Sequence, residues 1–252
     1  MLTPVAITRL EKAATDNGFD LELGRTADWL HFGSSQTSVR IWLTTLEDSL
    51  FVVAFSRSDV LDALETPGAE LANRLPTGAA GARTVTEVAA LHRLLRRSFQ
   101  LSRTLPDELL HIFEGETARL PRSTEAERLV VQRVGQDIFR RGLLEYWDGR
   151  CAVTGLAVAE LLRASHIKRW ADCECDAERL DVFNGLLLGP HLDAVFDAGF
   201  ITIAEDGAVL VSDALPGGAR AVLGLDQPLN LRGRHPAHER YLSWHRARVF
   251  RS

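Results

Sequence analysis

Two histidines and one asparagine in the second half of the chain could together serve a hydrolytic reaction, such as the cleavage of a phosphodiester bond. His166 closes one apolar stretch, Asn184 opens the next, and His191 follows within a short predicted helix. A neutral imidazole is a suitable general base near pH 7. A divalent cation, which a second histidine can bind, stabilises charge on the phosphate and on the departing oxygen. The three residues therefore predict a hydrolytic site in which the two histidines have different roles.

The segments around these residues resemble the HNH endonucleases, which hydrolyse phosphodiester bonds in DNA with a ββα-metal fold. The likeness rests on A-S-H-I-K around the first histidine and F-N-G-L-L-L before the second, and it covers roughly residues 151–203. The resemblance implies that His166 is the general base, that Asn184 ties the ββα loop together, and that His191 binds the metal. It also implies one divalent cation, Mg²⁺ or Mn²⁺, as the cofactor.

Basic residues flank the first histidine. Lys168 and Arg163 are suited to phosphate contacts, although a solvated surface charge explains each of them equally well. The second metal ligand is open, because many HNH enzymes have an acid or a histidine where this chain has Ser165. Asp193, Asp197 or a water held by Ser165 are the alternatives, but neither aspartate shares a helix face with the predicted ligand His191.

The cysteines favour neither a disulfide framework nor structural zinc. Only Cys151, Cys173 and Cys175 occur, and an odd, sparse set does not build a disulfide scaffold. Thr154 stands where a Cys-x-x-Cys pair needs its second cysteine, and Cys173-Glu-Cys175 has the wrong spacing for a closed zinc site. We expect core packing to support the site instead.

Composition is that of an ordinary soluble globular protein. Hydrophobic residues make up 46% and charged residues 25% of the 252 residues. No apolar run reaches the roughly 20 residues of a membrane span, and the first residues lack the features of a signal peptide. We therefore expect a cytoplasmic protein without membrane contacts. The net charge of −5 means that a nucleic acid would have to bind at a local basic face.

The patterning predicts an α+β protein with an N-terminal domain, a connector and the nuclease domain. Residues 1–103 show helical periodicity over 4–17, strand-like runs over 21–24, 29–32, 39–43 and 50–55, a loop over 66–81, and helices from 58 and over 86–102. This pattern predicts an antiparallel sheet with helices, and this domain is the candidate DNA-recognition module. Residues 104–123 read as a connector with a short helix from Pro106.

The nuclease domain, residues 124–252, begins with a helix that runs to about Trp147 behind a Thr124/Glu127 capping box. After it we expect a hairpin element over 150–156, a polar loop over 172–181, a strand over 185–188, a helix over 190–198 and a hairpin over 200–212. The final helix, 238–250, carries His238 and His245, for which a solvated face is the expected role and DNA contact the lesser one.

The leading hypothesis is a metal-dependent DNA endonuclease of restriction or defence type. It would act on double-stranded DNA as a homodimer, because a double-strand cut needs two sites. Aromatic residues Trp29, Phe32, Trp42 and Phe51 in the first domain could wall a pocket for a flipped base, although rings on strands more often form a sheet core. The alternatives are a catalytically inactive HNH-derived module that binds DNA or protein, and a toxin-type nuclease with a cognate inhibitor.

Overall fold

The computed structural model describes residues 2–47, 50–64, 66, 75–105 and 107–251. It contains helices and antiparallel sheets in both halves, which confirms the predicted α+β class. The chain divides into two compact units, residues 1–105 and 106–252. Within the described part of the chain, no helix has both the length and the apolar character that crossing a membrane requires.

The first unit is a five-stranded antiparallel sheet whose strands follow one another in chain order. Its apolar helix faces pack against each other and against the sheet, so that the side chains of Leu10, Leu91 and Leu95 are completely buried. The elements are α1 (Pro4–Asp16), β1 (Leu21–Arg25), β2 (Leu30–Gly33), β3 (Ile41–Glu47), β4 (Leu50–Phe55), α2 (Ser58–Asp62), β5 (Gly81–Val85) and α3 (Val88–Thr104).

One strand of this sheet was not expected. The sequence predicts a loop over residues 66–81, of which 67–74 lie outside the described residues, and assigns no element to 82–85. In the structure β5 starts at Gly81 and pairs with β4, with Val85 opposite Phe51. Its G-A-R-T-V sequence has no alternating apolar pattern that would predict a strand, and Ala82 is the one residue of this strand that is buried. The strand forms through pairing with its neighbour rather than through local propensity.

The strand aromatics form the sheet core. Phe32, Trp42 and Phe51 are 3%, 6% and 2% exposed, Trp29 packs beside Trp42, and the ring of His31 stacks on Trp42 at 4.5 Å between centroids. Their burial supports the interpretation that these rings form the core of the sheet, and not the walls of a pocket for a base.

The second unit is built around one long helix, α5 (Glu125–Tyr146). The predicted capping box is present, with the Thr124 hydroxyl accepting from the Glu127 N–H and the Glu127 carboxylate accepting from the Thr124 N–H. The other elements are α4 (Asp107–Thr117), β6 (Arg163–His166), α6 (Asp176–Leu180), β7 (Gly185–Leu188), α7 (Pro190–Asp197), β8 (Ile201–Ile203), β9 (Val209–Val211), α8 (Gly217–Val222) and α9 (Glu239–Arg248).

The short helix predicted within the connector is α4, which buries Leu109 and Phe113 and packs on α5; its predicted first residue, Pro106, lies outside the described residues. Two other predicted segments differ in detail. The hairpin expected over 150–156 is a tight turn, in which the Cys151 N–H donates to Leu156 O at 2.8 Å. The polar loop expected over 172–181 contains helix α6, whose single buried residue, Leu180, gives almost no apolar periodicity to read.

Candidate active site

Two strands and a helix bring the predicted residues into one region. β6 pairs antiparallel with β7, which places His166 opposite Gly185. The chain then turns at Gly189 into α7, where Pro190 occupies the first helical position, and α7 packs against β6. The two paired strands and the helix that follows them thus form a ββα unit that rests on α5, with α6 inserted between the strands.

An open cleft of about 530 Å³ lies beside this unit, between α5, β6 and α7. Polar and charged groups dominate its wall. Its charged and hydrogen-bonding residues include Asp137 and Arg140 from α5, Arg163, Ser165 and His166 from β6, Arg169 from the following turn, and Asp193 and Asp197 from α7. The cleft therefore brings an imidazole, three guanidinium groups and three carboxylates together.

His166 is held as a neutral imidazole with one nitrogen available. Its Nε2 lies 2.8 Å from the carbonyl oxygen of Arg179, and because a carbonyl can only accept, the proton must be on Nε2. The Nδ1 atom then carries the lone pair of a base. The ring stacks on Phe139 at 3.8 Å between centroids and meets the edge of Trp170.

The surroundings of the ring also set its protonation state. Burial lowers the pKa of His166 to about 4, against the opposite effect of the Arg179 carbonyl. The imidazole is therefore neutral at pH 7 and able to take a proton. The neutral imidazole is the form in which a histidine can act as a general base.

Asn184 is fully buried and ties three segments of backbone together. Its Oδ1 accepts from the Lys168 N–H at 2.8 Å, and its Nδ2 donates to Lys168 O at 3.1 Å and to Glu178 O at 3.0 Å. The carbonyl of Asn184 accepts from the Ile167 N–H at 2.9 Å. These bonds fix the turn that follows His166 relative to α6, the helix that supplies the carbonyl on Nε2.

An aspartate that sequence reasoning missed anchors this asparagine. Asp181 is 2% exposed; its Oδ1 accepts from the Phe183 N–H at 2.9 Å, and its carbonyl accepts from the Asn184 N–H at 2.8 Å. Its Oδ2 accepts from the Tyr241 hydroxyl at 2.9 Å and forms an ion pair with Arg240, both on α9. The D-V-F-N spacing is the local signal of such a cap. The partners of the carboxylate, Arg240 and Tyr241, lie 59 and 60 residues later in the sequence.

The two basic residues predicted as phosphate contacts differ in their environment. The Nζ of Lys168 is 2.8 Å from the carboxylate of Glu178, and its side chain is only 11% exposed. This hydrogen bond raises the pKa of Lys168 and keeps the amino group on its partner. Arg163 is exposed at the cleft, and its guanidinium makes no hydrogen bond or ion pair within the described residues, which leaves this group available.

The helix α7 presents its aspartates to the cleft, and not its histidine. His191 is exposed and is not part of the cleft wall, whereas Asp193 and Asp197 both line it. Burial and the nearby charge of Asp193 raise the pKa of Asp197. Among the described residues, no three His, Cys, Asp or Glu side chains converge on a ready-made metal site. The geometry thus unites His166 with the two aspartates and leaves His191 outside.

The expectation of a solvated histidine face on the last helix is wrong. His238 and His245 are 0% and 1% exposed. The ring of His245 stacks on Phe196 at 3.9 Å between centroids and bonds to Thr202 Oγ1 and Phe196 O. Because α9 packs on β8, its histidine face belongs to the core, and burial lowers the pKa of His245 to about 4.

The cysteine positions are filled by packing and hydrogen bonds. The Cys151 thiol accepts from the Thr154 N–H at 3.4 Å, and Arg232 closes the same turn by bonding to Ala152 O and Val153 O at 2.8 and 3.2 Å. The Cys173 thiol lies beside Asn184, 3.4 Å from its Nδ2. The expectation that structural zinc is absent stays a prediction.

A comparison with known protein families matches the region of the chain that contains the ββα unit. Residues 151–204 match the family model described as HNH endonuclease, which confirms the resemblance; the matched segment contains β6, β7 and α7. No curated protein matches the chain. Nucleases of this family act on DNA and generally use a divalent metal ion.

Proposed function

We propose that the protein is a metal-dependent DNA endonuclease in which His166 activates the attacking water. The observation that carries the proposal is the hydrogen bond from Nε2 of His166 to the Arg179 carbonyl. It leaves Nδ1 as a free base at the wall of a cleft that also bears arginines. The region matched to HNH endonucleases contains both groups of this hydrogen bond.

The scissile phosphate is placed by the guanidinium groups of the cleft. Arg140 is held by carbonyl oxygens of Ala159 and Leu162, at 3.0 and 2.6 Å, and Arg169 by the carbonyl of Asp197 at 2.8 Å. These bonds fix each side chain, while its remaining N–H groups can donate to phosphate oxygens. Arg163 adds a third cation from the strand that carries the base.

Hydrolysis then follows from the position of His166. A water bound at Nδ1 gives its proton to the imidazole, while its oxygen attacks phosphorus and the bond from phosphorus to the 3′ oxygen breaks. The 3′ oxygen takes a proton from solvent, which leaves 5′-phosphate and 3′-hydroxyl ends, as the family resemblance implies. Phe139 keeps the ring plane fixed and Asn184 keeps the turn after it closed, so the base does not have to be oriented during the reaction.

The donors in the cleft fit a hard divalent cation. Asp193 and Asp197 would hold it, because carboxylate oxygens are the ligands that Mg²⁺ and Mn²⁺ prefer. When bound, such an ion supplies positive charge for the phosphate and for the departing oxygen. His191, the ligand that the sequence predicted, does not line the cleft.

We further propose a restriction or defence role, with a homodimer cutting both strands and the first unit selecting the target. This part rests on the analogy with enzymes that join an HNH domain to a second domain. The competing candidate is a binding module that has lost catalysis. It is favoured by one observation, that no three metal-binding side chains converge within the described residues.

Plasmid cleavage tests the proposal. The full chain would be incubated with supercoiled plasmid, unmodified or cytosine-modified, with Mg²⁺, Mn²⁺ or EDTA. His166→Ala should abolish cutting. His111 is an exposed histidine of α4, and His111→Ala should cut as well as the parent protein. No metal-dependent cutting of either plasmid, with binding of DNA retained, would favour the binding module. A preference for one plasmid would support selection by the first unit.

A further inference from the structure

A run of exposed apolar side chains lies next to the cations of the cleft. In residues 156–161, which we call the apolar loop, every residue is exposed, and Glu160 is the only one with a polar side chain. Leu156, Val158 and Leu161 are 36%, 41% and 50% exposed. Single apolar side chains on a surface are ordinary, but a contiguous group of them is typical of an interaction site. The apolar loop is therefore a candidate contact surface.

Hydrogen bonds hold both ends of the apolar loop. At its start the Leu156 carbonyl accepts from the Cys151 N–H at 2.8 Å. At its end the chain makes a short helical turn, in which the Leu161 N–H donates to Val158 O at 3.0 Å, and the next side chain, Leu162, is completely buried. The exposed side chains thus stand on a backbone that is already fixed, so binding through them costs little conformational entropy.

The apolar loop is also tied to the cationic side chains of the cleft. Arg140, which lines the cleft, donates to the carbonyl oxygens of Ala159 and Leu162 at 3.0 and 2.6 Å. Arg163 lines the cleft too and follows the loop by two residues. An apolar surface bordered by guanidinium groups fits a partner in which apolar groups lie between negative charges. Duplex DNA is such a partner, because its stacked bases lie between two phosphate backbones.

The charges argue against a second copy of the chain on this surface. In a twofold interface the same patch meets itself. The guanidinium groups of Arg140 and Arg163 that border the loop would then come from both copies, against only the carboxylate of Glu160 from each. This excess of positive charge would oppose self-association, whereas the phosphates of a nucleic acid would neutralise it.

We propose that the apolar loop is a wedge that inserts Leu161 against the base stack of duplex DNA, next to the scissile phosphate. The inference rests on the proposed function for the position of that phosphate. Leu161 is the most exposed of the three large side chains and lies nearest in sequence to Arg163 and His166. Leucine is among the side chains that proteins insert between base steps to kink a duplex. The kink brings the phosphate bound by Arg163 toward the general base, so the favoured substrate is DNA that unstacks easily.

Binding to matched and mismatched duplexes tests the wedge. The protein is the full chain with His166→Ala, which keeps DNA intact. The probes are a short fluorescein-labelled duplex and the same duplex with a central T·T mismatch. Opening a base step costs free energy, and least where the bases are mismatched, so we expect the mismatched duplex to bind at least about 10-fold more tightly. A 2-aminopurine beside the central step should become more fluorescent on binding, because it is unstacked.

The decisive variant is Leu161→Ser in the same background. It should reduce the preference for the mismatch to about 2-fold or less and abolish the fluorescence increase, because serine has no apolar group to hold a step open. It should leave the slope of log affinity against log salt unchanged, since leucine neutralises no phosphate. Leu210→Ser is the matched control, because Leu210 is a 40% exposed leucine on β9, and it should keep the preference. Both variants should melt at the temperature of the parent, because neither side chain is buried.

Three results would overturn the inference: equal affinity of the parent for both duplexes, a mismatch preference that Leu161→Ser keeps, or binding to neither duplex. If Leu161→Ser weakened self-association in sedimentation and left the mismatch preference intact, the loop would be a protein interface and not a wedge. Plasmid cleavage by the unmodified chain reports separately on the proposed function. Cutting without a Leu161-dependent preference would reject the wedge and keep the nuclease. The preference without cutting would keep the wedge and reject the nuclease.

Discussion

Lowering the pH tests the assignment of His166 as a base that is neutral well below pH 7. Burial lowers its pKa from 6.5 to about 4, with the Arg179 carbonyl opposing. At 1.36 kcal/mol per pKa unit, the fold favours the neutral imidazole over the charged one by about 3 kcal/mol. The base should therefore remain active in mildly acidic buffer, where an ordinary histidine is already protonated.

The assay is single-turnover cleavage of plasmid at saturating Mn²⁺ across the acidic range. At about pH 5.5 a base with a pKa of about 4 is still roughly 95% deprotonated, whereas one at 6.5 would be only about 10% deprotonated. We expect no loss of rate from this group until the pH approaches 5. A rate that falls tenfold per pH unit below 6.5 would refute the reasoning, because His166 would then be charged in the native protein.

The free energy of unfolding should depend on pH through two histidines, His166 and His245. Between pH 6.5 and 4 the unfolded chain binds protons that native His166 and His245 do not, since burial lowers both pKa values to about 4. The stabilisation is fully present above pH 6.5 and decreases as the pH falls toward 4, with a combined slope of up to about 2.7 kcal/mol per pH unit. Urea unfolding of His245→Gln should show about half that slope, and His111→Gln should show all of it. Equal slopes in both variants would contradict the burial argument.

Three further outcomes follow from the geometry. Gly185→Ala should cost about 1–3 kcal/mol in urea unfolding, because its Cβ would lie 2.6 Å from the aromatic ring beneath the base; Gly115→Ala, where a Cβ meets nothing within 4 Å, should cost nothing. Asn184→Asp turns a donor toward two carbonyl oxygens into an acceptor, so it should destabilise the fold by at least about 2 kcal/mol and abolish cleavage. Arg163→Met should reduce the slope of log affinity for DNA against log salt by about one, whereas Lys168→Met should leave it unchanged, because that amino group is paired with a glutamate. If Lys168→Met reduced the slope and Arg163→Met did not, the proposal that Arg163 contacts the DNA phosphate would be rejected.

Local patterns predicted the elements of the site well, because the signals there are strong and short. The apolar run G-L-L-L gave the strand Gly185–Leu188 with its bounds, and proline after Gly189 gave the start of α7. The capping box at Thr124 was readable for the same reason, since both partners lie within four residues. Each of these features is decided by neighbours in the sequence.

Features decided by distant partners could not be read. β5 exists because it pairs with β4, and the burial of His245 depends on Phe196, a residue 49 positions earlier. The same holds for Asp181, whose carboxylate is satisfied from α9. A buried acid and a buried histidine look like surface residues in the sequence, because what compensates their desolvation is placed by the fold alone.

The choice between the two faces of α7 differs, because the sequence already contains the information that separates them. At about 100° per residue, Asp193 and Asp197 lie roughly 200° and 240° from His191, yet only about 40° from each other. Comparing each aspartate with the histidine excluded a shared face, but the comparison of the aspartates with one another identifies one. The choice between the two faces then depends on which one meets β6, and in the structure the aspartates line the same cleft as Ser165 and His166. For a short helix beside a predicted base, the face that carries paired oxygen donors is therefore the better first candidate for the cation.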